Sequence, residues 1–204
     1  MNDEHDDALA SPIDFDSPGR FAVLNPDSEL HTPEPWQAAP FKLGQERELQ
    51  RFSAPLQARG HALALIQQAQ RSLSLFSPDL EAWLYNHSSM QDAFSGFLLK
   101  HRQSQLRILL QDSGRAVREG HRLIALVRKL SSHAQIRRCH PDYPTPEGAF
   151  LLADDQGLLL RPQADEHSGH AHYRDPARVR QLQRQFDQSW DSSVSDPDLR
   201  SFVL

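Results

Sequence analysis

The chain has 204 residues, a formal net charge of −5 and 38% hydrophobic residues, enough for one buried domain but too few for every segment to pack. No apolar run approaches the roughly 18 residues that span a bilayer, and the acidic N-terminus lacks the apolar core of a secretory signal. A single cysteine, Cys139, excludes an internal disulfide and fits a reducing, cytoplasmic setting.

Charge and proline divide the chain. Residues 1–40 hold nine acids against Arg20 alone, net −8, and six of the 14 prolines, whereas the remainder is net +3. So charged a segment, with so little apolar periodicity, cannot offset its ordering entropy. Residues 1–44 are therefore read as a disordered, acidic, Pro-rich arm, and residues 45–204 as the folded domain. The arm's apolar patch at 21–24 is either a docking element or part of an unstructured leader.

Residues 48–52 predict a short strand. Ser53 offers an N-cap before Pro55, and Ala62, Leu65, Ile66 and Ala69 recur at helical spacing. Residues 72–76 alternate as a strand, closed by the turn-forming Ser77, Pro78 and Asp79. Ser89 with Asp92 predicts a capping box for a helix bearing Met90, Phe94, Phe97 and Leu98 on one face. Residues 105–110 form an apolar strand.

One helix is predicted over 114–131. Ala116, Val117, Leu123, Ile124, Val127 and Leu130 fall in its apolar stripe, with Arg115, Arg118, Arg122 and Lys129 in a narrow sector opposite. A strand at 135–138, a Pro-rich turn at 141–146 and a hairpin of 149–153 with 157–160 follow. Residues 162–174 read as polar loop. Asp175 and Pro176 then start a last helix with Val179, Leu182, Phe186 and Trp190 on one face. Strands alternating with helices, then a hairpin, predict an α/β domain with a mixed, mainly parallel sheet flanked by helices.

This succession resembles one half of a phospholipase D-like fold. The resemblance rests on residues 62–76 with their Ser-Pro-Asp turn, on 105–112, and on 148–155 followed by 157–160, and it covers about 47–191. The run 77–80 together with Gly120, His121, Arg122 and Leu123 is similar to an uncharacterised bacterial domain family loosely associated with GNAT acetyltransferases. Active members of the superfamily carry H-x-K-x-x-x-x-D on the strand entering the hairpin. Its histidine attacks phosphorus and its lysine holds the phosphate charge. Laid on this strand, the motif's aspartate falls on Asp154, its histidine on Glu147 and its lysine on Ala149. Arg161-Pro-Gln-Ala replaces the Gly-Ser-Asn turn of active relatives. The resemblance thus implies a non-catalytic binding or interaction module with no cofactor, its partner a protein such as an acetyltransferase or a second copy of the chain.

Three other features invite function. Ten basic residues stand against Asp112 and Glu119 between Lys100 and Arg138, net +8. Arginine forks suit phosphate, so Arg115, Arg118, Arg122 and Lys129 are candidates for an anionic ligand or nucleic acid, the alternative being a solvated helix face. The acidic arm is then a competitor for that face. Asp79, Asp112, His121 and Asp154 are candidates to converge where parallel strands end, with Trp83 and Tyr85 as walls; they would serve a ligand, a metal-dependent hydrolase, or only helix capping. His167, His170 and His172, with Cys139 and His140 in reserve, are weak metal candidates because they lack helical ligand spacing.

Overall fold

The computed structural model describes residues 34–200. Seven strands form one sheet in the order β1-β7-β6-β5-β2-β3-β4. They are β1 (Gln50–Phe52), β2 (Ser72–Ser77), β3 (Gln105–Leu110), β4 (Ala134–Arg138), β5 (Ala149–Ala153), β6 (Gly157–Arg161) and β7 (Gly169–His172). β2, β3 and β4 pair in parallel, and β2-β5-β6-β7-β1 pair antiparallel. The expected mixed sheet flanked by helices is observed, but it is mainly antiparallel rather than mainly parallel, with four antiparallel pairings against two parallel ones. The strand β7 lies inside the segment read as polar loop, and with β1 it extends the antiparallel half.

Alternation along the strands separates two cores. On one face Leu73, Leu75, Leu106, Ile108, Leu151 and Leu159 meet α1 (Pro55–Gln68), α3 (Ser88–Lys100) and α5 (Arg122–Lys129). On the other, Phe76, Leu109, Phe150, Leu152, Leu158 and Leu160 meet α6 (Pro176–Asp191) through Val179, Leu182, Phe186 and Trp190. The short helices α2 (Ala82–Tyr85) and α7 (Pro197–Arg200) follow the Ser-Pro-Asp turn and the end of α6.

Three helix predictions need correction in detail. The span 114–131 is two helices, α4 (Gly114–Arg118) and α5, broken where Gly120 takes φ 63°. A left-handed residue cannot continue a right-handed helix. His87, not Ser89, caps α3 by accepting from the Ser89 amide, which leaves the Ser89 hydroxyl to accept from Trp36 N at 2.9 Å. Ala54 rather than Ser53 is the N-cap of α1, and the Gln57 side chain accepts from both amides at 3.3 Å. Asp175 caps α6 as expected, accepting from Arg178 N at 3.0 Å.

Most of the arm expected over 1–44 lies outside the described residues. Its last part, 34–44, runs across α1 and β7. Trp36 stacks on His87 at 4.2 Å, and Phe41 sits against both His61 and Tyr173. Backbone bonds from Ala39 to Gly60 and from Gly44 to Tyr173 hold it at 2.9 and 2.7 Å. Irregularly spaced aromatics give no periodic signal, yet each finds a ring to pack on.

Candidate functional site

At one end of the sheet the chain leaves β2 through two residues with positive φ, Leu80 at 68° and Glu81 at 37°. The Ser77 hydroxyl fixes this turn, accepting from Leu80 N at 3.1 Å and donating to Glu81 Oε2 at 3.0 Å. Glu81 is thereby directed inward, where it forms an ion pair with Arg161 at the end of β6. The two are only 5% and 1% exposed. Arg161 also donates to the carbonyls of Ala164 and Glu166 and lies 5.1 Å from the Trp83 ring centre. Burial pushes its guanidinium down to about 10. Each charge offsets the other's desolvation, so neither is tolerable alone.

Arg161 is the cross-strand partner of Ala149. The position where the phospholipase D motif has lysine therefore carries a buried methyl, and a neighbouring strand supplies a guanidinium that Glu81 already neutralises. Glu147 is exposed and lines a different cavity, with Arg178 and His170. Gly148, between Glu147 and Ala149, has φ 71°, and a Cβ there would collide with the carbonyl oxygens of Arg161 and Pro162.

Above the pair lies a cavity of about 550 Å³ lined by Asp79, Glu81, Trp83, Gln111, Arg115 and Asp165, among others. Asp79 accepts from Glu81 N at 3.0 Å and pairs with Arg115 at 3.3 Å. Asp112 is exposed and accepts from Gly114 N at 2.8 Å. His121 is 2% exposed and caps α5, its Nδ1 accepting from Leu123 N at 3.2 Å. Burial pushes its imidazole down to about 4.

Asp154 does not converge with these three. It sits at the opposite end of the sheet, at φ 53°, where its carboxylate accepts from the amides of Gln70, Arg71 and Ser72 at 2.8–3.3 Å. Because β5 runs antiparallel to β2, the residue after β5 must lie beside the start of β2. Tyr85 is also no cleft wall, being 1% exposed and packed near Phe94. Trp83 is one.

The basic residues are dispersed. The break at Gly120 puts Arg115 and Arg118 on α4, with Arg122 and Lys129 on α5, so they do not share one helix face. Arg115 pairs with Asp79 and with Glu119 at 3.0 Å, and Arg122 donates to Gln91 at 3.4 Å. Arg128 donates to the Leu199 and Asp198 carbonyls. Arg107 pairs with Asp187 at 2.8 Å, and Arg137 lies over Trp190. Among the described residues no group of three or more histidines, cysteines or acids could hold a metal. His167 packs on Trp83, apart from the adjacent His170 and His172. Cys139 is buried in the α6 core with its thiol pushed up to about 11, and His140 packs on Tyr143.

Among the described residues no helix is long and apolar enough to cross a membrane. No curated protein matches the sequence. Solved structures share the fold. NucT from Helicobacter pylori aligns with TM-score 0.50 and 10% identity over 73% of this chain and 99% of its own. TrmBL2, an archaeal chromatin protein with a novel mode of DNA binding, gives 0.52 and 12% over 72% and 54%. Phosphatidylserine synthase from Haemophilus influenzae gives 0.51 and 14% over 72% and 39%. This chain thus spans about half of TrmBL2. NucT and the synthase are phospholipase D-family members, so the fold is phospholipase D-like. Residues 54–202 match the family described as a domain of unknown function, DUF7931, and the chain belongs to that family.

Proposed function

We propose that this chain is a phospholipase D-like domain that binds a partner and does not catalyse phosphoryl transfer. One observation carries the reading: where the reaction needs an imidazole and an unpaired ammonium, the chain entering β5 offers Glu147 and Ala149, and the nearby cation Arg161 is bound to Glu81. A neutralised guanidinium cannot stabilise charge developing on a phosphoryl group. The three lysines, Lys42, Lys100 and Lys129, are not in the cleft lining, so none replaces the missing one. The partner is a protein, with the GNAT acetyltransferases of the sequence resemblance and a second copy of the chain as the two classes to test first. Phosphodiester turnover by the purified full chain, with and without divalent cations, is the deciding experiment. No turnover is expected, and turnover above the protein-free rate would sink the reading.

A second reading, nucleic-acid binding, is favoured by the exposed Arg118, Arg122 and Lys129 and by the likeness to a chromatin protein. The acidic arm would then compete for the same surface. Deleting residues 1–33, which keeps the packed segment 34–44, would tighten DNA binding at low salt, and unchanged affinity would remove that role for the arm. The metal-dependent hydrolase reading has no such support, because Asp154 stands apart and His121 is buried.

A further inference from the structure

Arg51 and His170 lie directly opposite one another on the antiparallel pair β1–β7. Side chains alternate along a strand, so His172 shares their face, and its ring centre is 5.8 Å from that of His170. Their face is the one α6 covers, because His170 pairs with Leu160 of the α6 core. Arg178, in the first turn of α6, and His170 both line a cavity of about 540 Å³. Leu160 and Leu182 give that cavity apolar lining, Gln185 and Gln188 bring amides, and Glu147 is its one carboxylate.

Four cation-forming side chains on three neighbouring elements is an unfavourable placement, since like charges directly opposite across strands repel. Burial pulls the His170 imidazole below its usual range, and His172, Arg178 and Arg51 push it the same way. No carboxylate is among the influences on it. His172 Nδ1 is shut off from solvent without a hydrogen-bond partner. Against these groups the cavity lining sets a single carboxylate, Glu147.

We propose that this cavity binds a compact oxyanion, a phosphate monoester or a carboxylate, on a ligand whose apolar part rests on Leu160 and Leu182. Arg178, whose Nη1 also donates to Gln181 at 2.6 Å, supplies guanidinium donors, Arg51 adds positive charge, and the two imidazoles add ring nitrogens. The site is separate from the cleft over Arg161 and does not depend on the function proposed for it.

The test titrates the full chain with inorganic phosphate at constant pH and ionic strength and follows the histidine resonances by NMR. His170 and His172 should shift saturably while His121 stays fixed. Arg178→Gln and Arg51→Gln should each weaken the apparent affinity by about tenfold, roughly the loss of one charged hydrogen bond. Arg51 is exposed, so its variant keeps the fold even if the α6 variant does not. Parallel titrations with phenyl phosphate and benzoate assign the anion by which binds more tightly. No saturable shift, or an affinity unchanged in the folded variants, overturns the proposal.

Discussion

Arg161 reaches Glu81 across the end of the sheet, and both side chains are excluded from water. The pair lies beneath the cleft and joins the β2 turn to β6, so it is a structural joint as well as a cation already neutralised there.

Glu81→Gln should therefore lower stability by about 3–5 kcal/mol, since it leaves a buried guanidinium uncompensated. Replacing both partners, Glu81→Leu with Arg161→Met, should cost far less. Urea denaturation of the three proteins checks this. Equal losses in the single and double variants would mean that the ion pair is not the coupling.

Stability should fall as pH drops from about 6.5 toward 4. The folded His121 holds its proton only below about 4, whereas the unfolded imidazole takes one near ~6.5. The unfolded chain therefore binds more protons across that window, and the contribution present above pH ~6.5 is lost, at most roughly 3 kcal/mol. Burial lowers His61 in the same direction. His121→Asn retains a capping acceptor and should flatten the slope. Denaturation midpoints from pH 4 to 8 would reveal an unaltered slope if His121 were not responsible.

Asp154→Ala should destabilise by about 2 kcal/mol, because three amides at the start of β2 lose a charged acceptor. Hydrogen exchange at Gln70, Arg71 and Ser72 should quicken, while ligand binding at the opposite end of the sheet stays as it was. Slow exchange in the variant would show that another group holds those amides.

Two glycines should respond very differently to alanine. At Gly120, φ 63° with open space around it, the cost is the left-handed backbone alone, about 1 kcal/mol. At Gly148 the new methyl meets two carbonyl oxygens, so Gly148→Ala should fail to reach the native state. Thermal melts separate the cases, and similar midpoints would contradict the steric argument.

If the chain binds nucleic acid, Arg118→Ala with Arg122→Ala and Lys129→Ala should weaken binding alike for all sequences and make log affinity less dependent on log salt, by roughly 0.9 per lost phosphate contact. Fluorescence anisotropy over a salt series measures it. An unchanged slope would assign those charges to solvent.

Much of the sheet was legible because β2, β3, β5 and β6 are short, strongly apolar runs bounded by turns. The strand β7 was not, because Gly169, His170, Ala171 and His172 carry no apolar alternation; pairing with β6 and β1 makes them a strand. The apolar stripe of 114–131 runs on through the break at Gly120, since both short helices turn their apolar residues to the same core, so periodicity alone hides the break. At the site, Ala149 and Glu147 could be placed by register. Glu81 could not: its role depends on a left-handed turn and on Arg161, 80 residues further along. Arg161 showed in the sequence only as the residue standing where a glycine turn was expected.

The segment 34–44 bears on where this domain begins. Similarity to the family starts at residue 54, after β1 and after the strap that seats Phe41 on His61 and Tyr173. A fragment trimmed to that border would lose an edge strand and uncover a buried imidazole–phenol hydrogen bond of 2.9 Å. The physical unit starts no later than Glu34, and gene fusions or truncations should respect that border rather than the one drawn by similarity.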